Sequence, residues 1–149
     1  MSQSENHGRK TNKPSAKIEI GDIFKIEADE ANDITPPTGR LTWHKHFVVL
    51  GKAADGSLYG CVVFNSKINR DYLQPGTEEF YIPIKAGAYS FIDHDSVLEC
   101  LKLKPATASK LAKGKYEGKL SQDDLDAALQ LVKMSPRHDY ILLKTYGII

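Results

Sequence analysis

The stretch WHKHFVVLGKAADGSLYGCVVFNS, from Trp43 to Ser66, contains two apolar runs separated by a polar loop. Each run is rich in β-branched and aromatic residues, and the loop holds Asp55-Gly56, which is typical of a turn between antiparallel strands. Neither run alternates cleanly between apolar and polar residues, which indicates strands covered on both faces, as in a barrel. The stretch therefore predicts a β-hairpin at the centre of a mainly β fold.

Polar residues of this hairpin cluster where its first strand begins and its second strand ends. These two points meet at the same end of an antiparallel pair, so we expect Lys45, His44 and His46 to lie close to Ser66. In a regular strand the two histidines share one face and Lys45 points to the other. This end of the hairpin is where we predict a functional site.

The composition is that of one globular domain, 149 residues long with a formal net charge of +1. So small a charge gives no overall field that attracts a polyanion, and any nucleic-acid site must be local. Cys61 and Cys100 lie in apolar runs without metal-ligand spacing, which predicts buried reduced thiols. No apolar run has the length of a membrane span, and the first residues do not resemble a signal peptide. We expect a cytoplasmic protein with no membrane partner.

The remaining segments predict a small barrel preceded by a tail. Residues 1–16 are polar and basic and predict a flexible tail, with a nucleic-acid-binding arm as the less favoured alternative. The acidic, proline-rich segment 27–40 predicts a long loop that overhangs the site. Strand-like runs occupy four further segments: 18–26, 79–84, 89–92 and 96–103. The last of these strands is expected to end before Pro105, and the absence of helices between the strands argues against βαβ units.

The last third of the chain predicts helices. Ser121 is a good N-cap, and the apolar stripe that follows predicts an amphipathic helix over 121–135 that packs on the barrel. A short helix is also expected from Thr107 to Lys113. The domain is therefore expected to span 17–135. The remaining segment, 136–149, is too apolar to extend into solvent and can add a strand to a sheet edge of its own chain or of a partner.

Several short motifs follow one another in a characteristic order over about residues 20–135. They are Gly21-Asp22-Ile23, the run from Lys45 to Leu50, the run from Val62 to Ser66, Asp95-Ser96-Val97-Leu98, and Gly118-Lys119-Leu120-Ser121 with Leu125. This ordered set resembles the MazF/PemK/Kid toxins, of the CcdB-like superfamily, which belong to type II toxin–antitoxin systems. No single motif is specific, and the resemblance depends on their order.

The resemblance implies an SH3-like barrel with a packed C-terminal helix, a homodimer, and a cognate antitoxin as partner. It also implies an endoribonuclease that cleaves single-stranded RNA through attack of the 2′-hydroxyl, without a metal or other cofactor. Lys45 falls at the position of the family's usual arginine and Ser66 at that of its usual threonine. Lysine keeps the positive charge but lacks the bidentate fork of arginine, and His46 replaces the proline that usually follows. Four further residues are expected to contact RNA: Arg40, Trp43, Asn65 and Lys67.

Alternative interpretations of the site stay open. His44 or His46 is expected to transfer protons in an RNA cleavage, and each can equally be a hydrogen-bonded histidine at a barrel rim. A zinc site that combines these histidines with 93–95 is less favoured because no ligand spacing supports it, and we expect no metal. The lysine-rich stretch 102–119 is either a solvated face or a path for an RNA backbone. The rival function is a catalytically inactive SH3-like module that binds protein or RNA.

Overall fold

The computed structural model describes residues 17–66 and 76–149, and their main feature is a six-stranded antiparallel sheet curled into a half-barrel. The strand order across the sheet is β4-β5-β3-β2-β1-β6. The strands are β1 (Asp22–Ala28), β2 (Trp43–Lys52), β3 (Leu58–Asn65), β4 (Tyr81–Ile84), β5 (Ser96–Thr107) and β6 (Lys115–Lys119). The helices are α1 (Ala108–Lys113), α2 (Gln122–Met134) and α3 (Tyr140–Thr145). The prediction of a mainly β fold is confirmed, whereas the predicted N-terminal tail, 1–16, lies outside the described residues.

Both faces of the central strands are buried, as the absence of clean alternation predicts. On one face, Val48 and Phe64 belong to a first core that also includes Ala128 of α2. On the other face, Phe47 and Val63 belong to a second core, which α1 helps to cover. Because successive side chains of a strand point to opposite faces, each central strand contributes side chains alternately to the two cores.

The prediction that β5 ends before Pro105 is wrong, because this strand continues to Thr107. Pro105 lies opposite Gly60 of β3. On the other side of β5, the strand β4 pairs only as far as Glu99, so a missing N–H group at Pro105 costs no ladder hydrogen bond there. The carbonyl of Pro105 also accepts a hydrogen bond of 3.0 Å from the side chain of Asn32.

Two other segments differ from the predicted strands. Residues 89–92 form turns instead of a strand. A strand that the sequence did not predict, β6, pairs with β1 at the edge of the sheet. Its lysine-rich sequence, KYEGK, has no apolar run because the strand is only half-buried. The tyrosine and glutamate of β6 nevertheless point to specific partners across the sheet.

The predicted helices form, and the tail after them is helical as well. Ser121 caps α2 by accepting a hydrogen bond of 3.2 Å from the backbone N–H of Asp124. Residues 136–149 add no strand to the sheet of their own chain, since this segment forms α3 and then packs Tyr146 on the hairpin, whereas addition to a partner's sheet stays a prediction. The carbonyl of Tyr146 accepts a hydrogen bond of 2.9 Å from the N–H of Lys52. Across 17–66 and 76–149, no helix has the length and apolar character needed to cross a membrane.

Candidate functional site

A groove of about 210 Å³ opens at the end of the sheet where β2 begins and β3 ends. The antiparallel register of these strands brings together the side chains that the sequence places at the two ends of the hairpin stretch. The walls of the groove are formed by Trp43, His44, Lys45, His46, Phe64, Asn65, Ser66, Phe91, Ile92, Asp93, His94 and Ser96. All four predicted catalytic residues therefore line one groove.

Lys45 is held in place by neighbours on the side of the second core. Its Nζ donates a hydrogen bond of 2.7 Å to Oδ1 of Asn65. The same ammonium group lies 4.3 Å from the centroid of the Trp43 ring, close enough for a cation–π interaction. Burial lowers the pKa of Lys45, and the nearby Glu99 carboxylate opposes this effect. The groove therefore contains a positioned, partly desolvated cation.

The Asn65 side chain connects Lys45 to an acidic residue of β5. Its Nδ2 donates a hydrogen bond of 2.9 Å to Oε1 of Glu99. Sequence reasoning missed Glu99, which interrupts the apolar run Val97–Leu101. A charged residue within a buried strand is a signal that could have identified it, because such a residue is rarely buried without a partner.

His46 lies on the opposite face of β2 from Lys45, as the alternation of strand side chains predicts. Its ring stacks on Phe91, with centroids 4.1 Å apart and planes 14° apart. Nε2 of His46 lies 3.3 Å from Oε2 of Glu117 in β6. Burial lowers the pKa of His46, and the hydrogen bond and charge of Glu117 oppose this effect. Sequence reasoning missed Glu117 as a partner because it did not predict β6.

Phe91 reaches the groove because the turn that carries it is tied to α2. The hydroxyl of Tyr89 donates a hydrogen bond of 2.6 Å to Oδ2 of Asp124 and accepts one of 3.0 Å from the N–H of Ser121. The rings of Tyr89 and Phe91 also stack, with centroids 5.9 Å apart. The start of α2 therefore helps to fix the aromatic surface that covers His46.

The outer part of the groove is more polar and more exposed. Ser66 is exposed at the end of β3, and His44 lies 3.8 Å from the carboxylate of Glu27 at the mouth. On the opposite wall, Nδ1 of His94 lies 2.6 Å from Oδ1 of Asp93. Within the part of the chain that the structure describes, no three His, Cys, Asp or Glu side chains are grouped closely enough to hold a metal ion. Of the donors considered for zinc, His44, His46, Asp93 and His94 line the groove without forming a ligand set, and Asp95 does not line it.

The lysine-rich stretch 102–119 is largely matched by acidic side chains from other parts of the chain. Asp33 lies 2.9 Å from Lys102 and 3.3 Å from Lys104. Two further pairs are Lys110 with Asp29 at 3.5 Å and Lys119 with Glu19 at 2.9 Å. This pairing reduces the positive field of the stretch, so the structure favours a solvated face over a path for RNA.

Arg40, another predicted RNA contact, does not line the groove. Arg40 lines a separate cavity together with Asp29, Glu30 and Leu41. Part of the loop 27–40 is bonded to β5 through Asn32, away from the groove. Lys67 lies outside the described residues. Neither a protein-family model nor a curated protein matches this chain.

Proposed function

We propose that this protein is a MazF/PemK-like endoribonuclease toxin with an SH3-like barrel, which cleaves single-stranded RNA in the groove between β2 and β3. One observation carries the proposal: a fixed ammonium group, an exposed hydroxyl-bearing residue and a histidine that lies beside a carboxylate line the same groove. These are the groups that cleavage of a phosphodiester by its own 2′-hydroxyl requires.

The reaction assigns a role to each of these residues. His46 accepts the proton of the 2′-hydroxyl, whose oxygen attacks the adjacent phosphorus. Lys45 and the Ser66 hydroxyl bind the phosphate oxygens and stabilise their growing negative charge. The bond from phosphorus to the 5′-oxygen breaks, and His44 at the mouth donates a proton to that oxygen. The products are a 2′,3′-cyclic phosphate and a 5′-hydroxyl end.

The walls of the groove suit an unpaired strand. The rings of Trp43 and Phe91 line it together with the polar groups, and exposed aromatic rings can stack on unstacked bases. Trp43 is 40 % exposed, which leaves ring surface available to a base. A double helix keeps its bases stacked inside, so a single strand is the favoured substrate.

A catalytically inactive RNA-binding module is the second candidate. The observation that favours it is that Lys45 bonds to Asn65 and His46 pairs with Glu117 in the free protein. Groups satisfied in this way can bind an RNA strand at the groove without transferring protons to it.

The toxin proposal additionally includes a cytoplasmic setting, a homodimer, and a cognate antitoxin whose acidic segment covers the groove.

The test is cleavage of a mixed-sequence single-stranded RNA by the purified protein in EDTA. We expect cleavage that leaves 2′,3′-cyclic phosphate ends and stops when the nucleotide at the cut carries no 2′-hydroxyl. Lys45→Ala should lower the rate about 10- to 100-fold, the range for one charge-assisted hydrogen bond, and Ser66→Ala should lower it as well. Lys52→Ala is the matched control, because it removes an exposed lysine from the other end of β2.

Each result separates the candidates. Intact RNA that is nevertheless bound would replace the toxin with the binding module. Cleavage that appears only after zinc is added would contradict the metal-independent mechanism. Equal losses in Lys45→Ala and Lys52→Ala would show that only overall charge matters, and the assignment of Lys45 to the phosphate would then be wrong.

A further inference from the structure

Three polar residues form a hydrogen-bonded chain across three neighbouring strands. Lys45 in β2 donates to Asn65 in β3, and Asn65 donates to Glu99 in β5. Glu99 lies opposite Val63, two residues from Asn65 along the same face of the sheet. This diagonal separation across adjacent strands is within reach of a long side chain. The register of the sheet therefore sets the chain of contacts.

The chemistry of the two end groups fixes the direction of the Asn65 carboxamide. An ammonium group only donates hydrogen bonds, and an ionised carboxylate only accepts them. The carboxamide must therefore turn its oxygen towards Lys45 and its nitrogen towards Glu99, as the distances of 2.7 Å and 2.9 Å describe. Without the carboxylate, only the bond from Lys45 would oppose rotation of the amide by half a turn. The rotated amide would present its own donors to the ammonium group.

We propose that Glu99 is a positioning residue of the groove, which acts through Asn65 to hold the Lys45 ammonium where a phosphodiester binds. This inference rests on the proposed RNA function and adds a residue outside the walls of the groove. Glu99 is absent from the residues that line the groove. Its effect on RNA must therefore pass through the side chains between them.

The negative charge of Glu99 also helps to keep the Lys45 ammonium group charged. Burial disfavours the charged form of Lys45, and the Glu99 carboxylate is the nearby opposite charge that compensates. The positive charge of Lys104 disfavours the charged form of Lys45, and the carboxylate of Asp33 lies 3.3 Å from Lys104. A cation kept charged but partly desolvated interacts more strongly with an anion than a fully hydrated one.

The experiment measures binding and cleavage separately. Binding uses fluorescence anisotropy with a single-stranded 2′-O-methyl oligoribonucleotide, which cannot be cut by its own 2′-hydroxyl. Glu99→Ala should weaken binding about 3- to 10-fold, the range for one net hydrogen bond. Glu99→Gln should lose less affinity than Glu99→Ala, because its side-chain oxygen can still accept from Asn65 although its charge is lost. Asp126→Ala is the matched control, since it removes the same charge from the exposed surface of α2.

A double-mutant cycle tests whether Glu99 acts through Lys45. In a Lys45→Ala background, Glu99→Ala should have no further effect on affinity. The ¹⁵N signal of the Lys45 ammonium should move in Glu99→Ala and stay in place in Asp126→Ala. An unchanged affinity and signal in Glu99→Ala would overturn the inference, as would an equal loss in the Lys45→Ala background.

The same measurements distinguish a failure of the proposed endoribonuclease function from a failure of the inference about Glu99. If the wild-type protein binds the oligonucleotide but leaves ordinary RNA intact, the endoribonuclease proposal fails and the role of Glu99 stands. If the wild type cuts RNA and Glu99→Ala cuts and binds like it, only the inference about Glu99 fails. A wild type that does not bind RNA contradicts both.

Discussion

Nε2 of His46 lies 3.3 Å from Oε2 of Glu117, although the two residues belong to strands that are separated by β1. The side chains are only 21 % and 12 % exposed, so water competes weakly for this contact. Phe91 covers one face of the imidazole. A histidine with one nitrogen bound to a carboxylate and its ring fixed by stacking is arranged for directed proton transfer.

Replacing Glu117 should change the titration of His46. In Glu117→Gln, the carboxylate that favours the imidazolium is lost while burial still disfavours it, so the pKa of His46 should fall further below its ordinary value. The pH at which the proposed cleavage reaches half of its maximum on the acidic side should move downwards, because the neutral base then persists to lower pH. The measurement is a pH–rate profile together with NMR titration of the His46 ring.

The matched control for this prediction is Glu27→Gln. Glu27 lies beside the exposed His44, so its loss removes a carboxylate next to a histidine without touching His46. The NMR titration of His46 should be the same in this variant as in the wild type. A higher pKa of His46 in Glu117→Gln would contradict the proposed interaction.

Stability should depend on pH through a buried histidine outside the groove. Nε2 of His138 accepts a hydrogen bond of 2.8 Å from the N–H of Leu103, and Nδ1 lies 2.8 Å from the carbonyl of Val132. These partners require a neutral ring with its proton on Nδ1. Protonation of Nε2 would break the bond to Leu103, and burial lowers the pKa of His138.

The sign of this pH dependence follows from linkage. Below about pH 6.5 this histidine binds a proton more readily in the unfolded chain than in the folded protein. The free energy of unfolding therefore falls as the pH decreases. Above that pH the contribution is constant. Urea unfolding at pH 7.5 and pH 5.5 should show lower stability at the acidic pH and a smaller difference in His138→Gln. The exposed His94→Gln is the control and should retain the wild-type difference.

Close packing of the C-terminal segment should make Gly60 intolerant of a side chain. A Cβ atom at Gly60 would lie 2.9 Å from the Tyr146 ring, a distance that requires the ring to move. Gly60→Ala should therefore lower the free energy of unfolding by about 1–3 kcal/mol, the usual cost of overpacking. Chemical denaturation measures this change.

A double-mutant cycle separates crowding from backbone effects. In a Tyr146→Ala background the obstructing ring is gone, so Gly60→Ala should cost much less than in the wild type. An unchanged cost in that background would place the effect in the backbone of β3 and would contradict the packing of Tyr146 on the hairpin.

The elements that the sequence predicts well are those with a local signal. The hairpin follows from two β-branched runs around Asp55-Gly56, and α2 follows from its Ser121 cap and apolar stripe. That Lys45 and Ser66 both line one groove follows from the antiparallel register of β2 and β3. In each case the determining information lies within a short segment or in the pairing of two adjacent ones.

The errors occur where distant contacts override the local pattern. A proline normally ends a strand, but β5 continues through Pro105. The neighbouring strand β4 stops short of Pro105, so no hydrogen bond to its nitrogen is required on that side. The segment 136–149 is apolar like a strand, yet it becomes a helix that places Tyr146 over Gly51 and Gly60. Neither outcome can be obtained from the pattern of these residues alone.

The sequence by itself determined a mainly β chain with a capped helix after it, and a cluster of cationic, hydroxyl and imidazole groups at one end of a hairpin. Only the tertiary structure decided that Glu99 reaches Lys45 through Asn65 and that Glu117 reaches His46 across β1. The physical reason is that hydrophobic periodicity and turn chemistry act over a few residues. Carboxylate partners are instead chosen by the order and register of strands that are far apart in the chain.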